Sequence, residues 1–457
     1  MYQKGKAVAM KILFLTSSPG YGHTRAAEAI DIALRNRYPD VETQCLDVTR
    51  LIDEQASSAV QDGYLRMTAE QPDLYQKLYD MDKEVYRQLA GKKPADKQLI
   101  DFLVDQQRRW YPEVAERARF SFSIPYNNLD GALLNTLING ISNRTKIPAG
   151  RLLLQGLLGL IYSILATRLK NYVTSYAPDI IIATQMYPNA LLSRAIKKGQ
   201  ITQPIIGVLT DYGAHGVWVR DTTSLYCVSH ESVANALQAQ GIPANLTQVT
   251  GIPLMPQFEN PPSQSQARQN LGLDERPTIL VTGGQCGIGI VDAVKNMVED
   301  ESHHYRVLVT AGNTFTNRAE LQQLEHKYPE RIKLYAWCDE MVNLFRAADI
   351  VVGKPGGLTV SETLACGRPF IATCSLGGQE GHNVEFLKTT GAGCRVEVAE
   401  LADTINRLFD HPEELREMKK RAEEQGRRYA AKAVVNQVET VERAQRAGLL
   451  PRQFSSE

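Results

Sequence analysis

The stretch Gly353-Lys-Pro-Gly-Gly-Leu-Thr-Val-Ser-Glu362 decides the fold of this sequence. It follows a short apolar run (Ala348, Ile350, Val351, Val352) and leads into Thr363-Leu-Ala-Cys366, so it reads as strand, glycine turn and helix start. Gly356 and Gly357 let the backbone come close to a ligand, and the helix start offers unpaired N–H groups and a partial positive charge to an anion. Glu362 falls about one turn into that helix, within reach of a sugar hydroxyl. A diphosphate carrying a ribose suits such a site. The Gly-Lys-Ser/Thr ending of a Walker loop is missing.

Working outward, the same unit repeats in type on both sides. Lys11-Ile-Leu-Phe-Leu-Thr-Ser17 reads as a buried strand, Pro19 to Thr24 as the turn after it, Ala26 to Arg37 as a helix and Val41 to Val48 as a second strand. Runs at 178–184, 204–210, 225–229 and 246–251 continue a parallel series. Pro253, Pro256, Pro261 and Pro262 then crowd a stretch that suits neither helix nor central strand, and 253–267 reads as a linker. A second series follows at 277–284, 306–310, 332–335, 350–352 and 369–372, closed by a polar helix near 412–446. The expected fold is α/β: two Rossmann-like domains facing a cleft, 1–252 and 268–457, with the last helix packing back on the first.

The 457 residues suit two cores. With 43% hydrophobic and 22% charged residues and a mean hydropathy of −0.28, the composition is that of a globular protein. Its 51 basic and 51 acidic side chains cancel, so a general attraction to nucleic acid is not expected. Seven scattered cysteines without Cys-x-x-Cys spacing read as reduced cytosolic thiols. The apolar run after Lys4 and Lys6 is too short for a signal peptide, and no segment reaches bilayer-spanning length, so the expectation is a cytoplasmic protein.

Residues from about 54 to 170 fit neither sheet and read as a helical insertion. Between Lys83 and Lys170 lie fourteen basic and seven acidic residues, a local balance of +7. Trp110, Tyr111 and Tyr126 lie among them, and Leu152 to Ala166 carries no charge. Such a region suits attachment to anionic lipid, with Leu152–Ala166 either inserted into lipid or buried as a helix on the first sheet.

Several motifs in order carry a family resemblance. Lys354-Pro-Gly-Gly-x-Thr-x-x-Glu362 with Gly377-Gly-Gln-Glu380 resembles the donor half of the GT-B glycosyltransferases that use UDP-sugars. Within them it is most similar to the group of monogalactosyldiacylglycerol synthases and processive diacylglycerol glucosyltransferases, in glycosyltransferase family 28. Gly378 stands where that group has proline. Pro19-Gly-Tyr-Gly-His23, Thr210-Asp-Tyr-Gly-Ala-His-Gly-Val-Trp218, Thr250-Gly-Ile-Pro253 and Gln71-Pro-Asp-Leu-Tyr75 match further motifs of the group.

The resemblance implies an inverting transfer of galactose or glucose from UDP-galactose or UDP-glucose to diacylglycerol, without a metal or other cofactor, by a protein peripheral on the cytoplasmic face of the membrane. Another lipid-linked acceptor, or a non-catalytic UDP-sugar sensor, are the alternatives. Such a transfer needs a base for the acceptor hydroxyl and stabilisation of the departing diphosphate. His23 is the candidate base, and Asp211 is either the rival base or the group that orients the imidazole. Gly20, Gly22, His215 and Trp218 are expected on the acceptor side. On the donor side the resemblance gives Gly356, Gly357 and Thr359 to the diphosphate, bordered by Gly283 and Gly284, with Glu362 on the ribose and Gln379 and Glu380 on the sugar. Lys354 is a phosphate contact or a surface lysine.

Overall fold

The computed structural model describes residues 10–17, 21–51, 149–284, 287, 289–300, 302–310, 318–335, 341–373 and 379–449, apart from the side chains of 149–162 and 379. The basic stretch with Trp110, Tyr111 and Tyr126, the Gln71–Tyr75 motif, Gly20, and the side chains of most of Leu152–Ala166 lie outside the described residues.

Two six-stranded sheets organise the described residues. The first comprises β1 (Lys11–Thr16), β2 (Glu42–Asp47), β3 (Ile180–Ala183), β4 (Ile205–Val208), β5 (Leu225–Val228) and β6 (Thr247–Val249), in the order β2-β1-β3-β4-β5-β6. The second comprises β7 (Thr278–Thr282), β8 (Arg306–Thr310), β9 (Ile332–Tyr335), β10 (Ile350–Gly353), β11 (Phe370–Ala372) and β12 (Gly393–Arg395), in the order β12-β11-β10-β7-β8-β9. Every pairing is parallel. The inner strands are buried throughout, and this is why they read as unbroken apolar runs.

Strand order reverses direction between β1 and β3 in the first sheet and between β7 and β10 in the second. Open parallel sheets bind ligands beyond the carboxyl ends of strands at such a switch point. Gly353 belongs to the second one. Its φ is +152°. A Cβ there would lie 1.9 Å from the Thr282 carbonyl of β7, so only glycine allows these two strands to pair up to their ends.

The helix Ala149–Tyr176 crosses onto the first sheet, where Leu169 and Val173 are fully buried and Leu165 and Ala166 partly so. Among the described residues no helix is long and apolar enough to cross a membrane. The polar closing segment is two helices, Pro412–Gln425 and Ala430–Arg446. The second returns to the first sheet, placing Ala431, Val434, Val435, Val438 and Val441 in one apolar cluster with Ile12, Ile30 and Leu34. Arg37 seals that seam on Glu439 at 2.6 Å.

Two local readings need correction. The segment 253–267 is not wholly linker. Ser263 caps a helix at Gln264–Asn270 by accepting from the Gln266 N–H at 3.2 Å, and Ala267 is buried in the second core beside Ile252, Leu254 and Phe258. The prolines end at Pro262, and helix propensity takes over there. Nor does the turn after β1 extend to Thr24, because a helix already runs from Tyr21 to Arg37.

Candidate active site

The two switch points face each other. From the first sheet come His23, in the first turn of the helix after β1, Thr184 just after β3, and Thr210 and Asp211 after β4. The second contributes the Gly357–Ala365 helix after β10. A Cβ on Gly22 would sit 3.6 Å from Leu358 across the gap. One on Gly357 would sit 2.0 Å from the Thr210 carbonyl and 2.9 Å from Asp211 Oδ1. The second glycine of the turn is therefore what lets the halves meet.

The carbonyl of Thr184 can only accept, so His23 Nδ1 donates to it at 3.0 Å, with Thr210 Oγ1 at 2.7 Å from the same nitrogen. This fixes the tautomer and leaves Nε2 with the lone pair. Burial of the imidazole pushes its pKa down to about 4, against the raising effect of the Thr184 bond. His23 is thus neutral across the physiological range, as a base must be before it takes a proton.

Asp211 does not orient this imidazole; Thr184 and Thr210 do. Its carboxylate turns to the other half, taking a bond from Asn383 Nδ2 at 3.2 Å and another from the Gly357 N–H. Desolvation raises Asp211 to about 7, while these two donors and Lys354 pull it down and Glu380 pushes it up. A carboxylate at a helix N-terminus satisfies orphan N–H groups and complements the helix dipole. The opposite end of the helix is matched by cations. Arg346 Nη1 donates to the Cys366 carbonyl at 2.7 Å, and Arg428 Nε donates to that of Ala365 at 2.7 Å.

On the donor side, Gly284 is left-handed at φ +62°, and Gly283 is so close to Gly287 that a Cβ would lie 2.5 Å from its Cα. Lys354 is neither a free surface lysine nor alone, since its Nζ lies 2.6 Å from Glu380 Oε1, with both side chains largely buried. Thr359 sits in the first turn after Gly356. Burial raises Glu362 to about 8, opposed by the charge of Arg25, which pairs with Glu28 at 2.8 Å. Gln379 opens the helix Gln379–Thr390, but its side chain is outside the described residues.

Two expected acceptor-side residues are buried. His215 is buried at the start of a single 3-10 turn and accepts from the Val217 N–H at 3.2 Å, which is a capping role. Trp218 is buried in an apolar cluster with Val217, Tyr226 and Val228, and Gly207 of β4 makes room for its ring. Burying an indole outweighs exposing it at a cleft rim.

Sequence reasoning missed Tyr212 and Asn383. Tyr212 leaves the first half and enters the core of the second. Its ring stacks on Phe386 at 3.8 Å, and its hydroxyl lies 2.9 Å from Ser361 Oγ. Asn383 lies three residues after Glu380, one helical turn on, a spacing that could have flagged it.

Two family models match the chain. Residues 147–254 match the family model for monogalactosyldiacylglycerol (MGDG) synthase, and residues 278–437 match the glycosyltransferase family 28 C-terminal domain. The chain is 29% identical over 256 residues to the processive diacylglycerol beta-glucosyltransferase of Bacillus pumilus, covering 55% of this chain and 66% of that protein. The protein of the same name from Bacillus subtilis is 29% identical over 258 residues, with the same coverage. The match thus spans just under two thirds of these relatives. Among solved structures, Acinetobacter baumannii MurG superposes with a TM-score of 0.52 at 14% identity, covering 94% of this chain and 99% of that one. A Neisseria meningitidis UDP-GlcNAc 2-epimerase bound to UDP-GlcNAc gives 0.53 at 13%, covering 94% and 100%. At such identities the likeness is one of fold, and the fold is GT-B. The chain is thus similar to the MGDG synthases over residues 147–254, to glycosyltransferase family 28 over residues 278–437, and to the two processive diacylglycerol beta-glucosyltransferases over 256 and 258 residues.

Proposed function

We propose that the chain is a membrane-associated inverting glycosyltransferase that moves galactose or glucose from a UDP-sugar to the hydroxyl of 1,2-diacylglycerol, giving a β-glycosyl diacylglycerol. The observation that carries this reading is the meeting of the two switch points, with a neutral, oriented imidazole on one side and a glycine-opened helix N-terminus on the other. In this reading residues 1–252 take the acceptor and face the membrane, and residues 268–457 hold the donor. The names of the relatives supply the acceptor class.

The acceptor oxygen attacks the anomeric carbon as the bond to the diphosphate breaks. The hydroxyl proton passes to His23 Nε2, and the electron pair of the broken bond leaves on UDP. Asp211 supplies a negative charge facing the positive charge that builds on the sugar ring and the imidazole. The N-terminus of the Gly357–Ala365 helix and Lys354 stabilise the departing diphosphate. Glu362 accepts from the ribose hydroxyls, while Gln379 and Glu380 hold the sugar.

Diacylglycerol keeps its chains in the bilayer, so the transferase works docked on the cytoplasmic face, drawn by the +7 stretch to anionic lipid. The test is a panel of UDP-sugars offered with vesicles containing diacylglycerol, with lipid products weighed by mass spectrometry at low and high salt. The expected result is a lipid heavier by one hexose from UDP-galactose or UDP-glucose, formed faster on anionic vesicles and more slowly as salt rises. UDP release that ignores diacylglycerol, with no hexosylated lipid from any donor, would end the proposal.

A further inference from the structure

Asn383 is fully buried, and all its polar atoms are engaged at the seam. Its amide nitrogen donates to the Pro355 carbonyl at 2.9 Å and to Asp211 Oδ1 at 3.2 Å, and its oxygen accepts from the Tyr212 N–H at 2.8 Å. The orientation of the amide follows from its partners. Exchanging O and N would set oxygen against the Pro355 carbonyl and N–H against N–H. One side chain thus grips the glycine turn of its own half and two consecutive residues of the opposite loop. Resting on the role given to Asp211 above, we propose that Asn383 is a positioning residue that holds Asp211 as a carboxylate over the N-terminus of the Gly357–Ala365 helix.

The electrostatics of the pocket give this bond its leverage. Burial alone drives Asp211 toward the neutral acid, and Glu380 on the neighbouring helix turn adds to that push. Lys354, the Gly357 N–H and Asn383 oppose it, and the Asn383 bond is the largest of the three. His23 stands beyond Thr210, to whose hydroxyl it is bonded, and is neutral. The Tyr212 phenol is occupied with Ser361, and its raised pKa keeps it uncharged. With Asp211 balanced near 7, one donated bond decides how much carboxylate is present at neutral pH. Anchoring of the loop is a separate matter, because Tyr212 is seated by its stack on Phe386.

The sign is direct. A donor favours the ionised form, so removing it raises the pKa of Asp211, and activity that needs the carboxylate is lost at a higher pH than before. The experiment is the pH profile of kcat for hexose transfer in wild type, Asn383→Ala, Asn383→Asp and Asp211→Asn, with thermal melting to establish that each variant is folded. Asn383→Asp keeps the shape and, once ionised, cannot donate. Wild type should lose activity below about 7, and both Asn383 variants should shift that limb upward by roughly 1–2 pH units, with activity recovering at high pH and the donor KM little changed. A limb that stays in place in a folded Asn383 variant, yet vanishes in Asp211→Asn, overturns the positioning role while leaving Asp211 in its own. A limb that persists in Asp211→Asn overturns the reading of Asp211 itself, and this inference with it. A uniform fall in kcat at every pH would make Asn383 a purely structural contact.

Discussion

The two switch points occupy equivalent places in their sheets but are built from different materials. At the first, the proposed reaction would be carried by side chains whose bonds define protonation states: Nδ1 of His23 on the Thr184 carbonyl, and Asp211 on an amide and a backbone N–H. At the second it would be carried mainly by backbone, through Gly283, Gly284, Gly353 and Gly357 and a helix whose far end is matched by Arg346 and Arg428. The difference follows from the two tasks. Moving a proton needs groups that titrate, whereas binding a diphosphate needs close approach and fixed dipoles. Substitutions at the first should therefore change rate and pH dependence, and those at the second should change binding and closure.

The largest expected effect is His23→Ala. Losing a general base typically costs about 10²–10⁴-fold in rate. Affinity for UDP should be retained, since the imidazole is held wholly by Thr184 and Thr210 of its own half. Transfer rates and UDP titration calorimetry check both parts. Turnover within a few-fold of wild type would pass the role of base to Asp211. Because the imidazole is already neutral above about 4, the acid limb near 7 should not be traceable to it.

Gly357→Ala tests the other side. The added methyl would stand 2.0 Å from a backbone carbonyl that cannot rotate away, so the halves must part. Overpacking of this kind costs about 1–3 kcal/mol, a roughly five- to 150-fold loss in kcat/KM. The melting temperature should fall as well, because the halves share packing through Tyr212 and the last helix. Gly22→Ala, whose methyl would meet only Leu358 at 3.6 Å, should lose less. Equal losses from the two substitutions would mean that the seam tolerates movement and that the asymmetry drawn here is wrong.

How far the sequence reached follows the same division. The strands were legible because parallel strands covered on both faces read as continuous apolar runs, as in Ile180–Ala183 and Thr278–Thr282. β12 escaped notice, since Gly393-Cys-Arg395 is short, lies at the sheet edge and carries no apolar run. The glycine turn announced itself, because glycine has few other reasons to cluster after a strand. Asn383 and Tyr212 did not, because what matters in each is a partner in the other half, about 170 residues away in sequence. Nor did the burial of His215 and Trp218 show in the sequence. Their motif is real, but burial turned one into a cap and the other into core.

The smallest expected effect is also the one with the clearest pH signature. Glu362 lies on the backbone-built side yet behaves as a titrating group, raised to about 8 by burial with only Arg25 opposing. In the free protein it is therefore protonated at neutral pH. Ribose hydroxyls donate to a carboxylate better than to an acid, so donor binding should draw the ionised form. Below about 8, UDP-sugar binding should release a proton and tighten as pH rises, levelling off above that value. Glu362→Gln keeps an acceptor oxygen and loses the charge. The difference between a charged and a neutral hydrogen bond is about 1 kcal/mol, a roughly fivefold rise in donor KM at high pH. At neutral pH the gap should narrow, because wild type spends part of its binding energy on losing the proton and glutamine does not. Calorimetry in buffers of different ionisation enthalpy measures that proton directly. Wild type should release it and Glu362→Gln should not; equal proton counts in the two would place the titrating group elsewhere and leave the donor side as purely a backbone device.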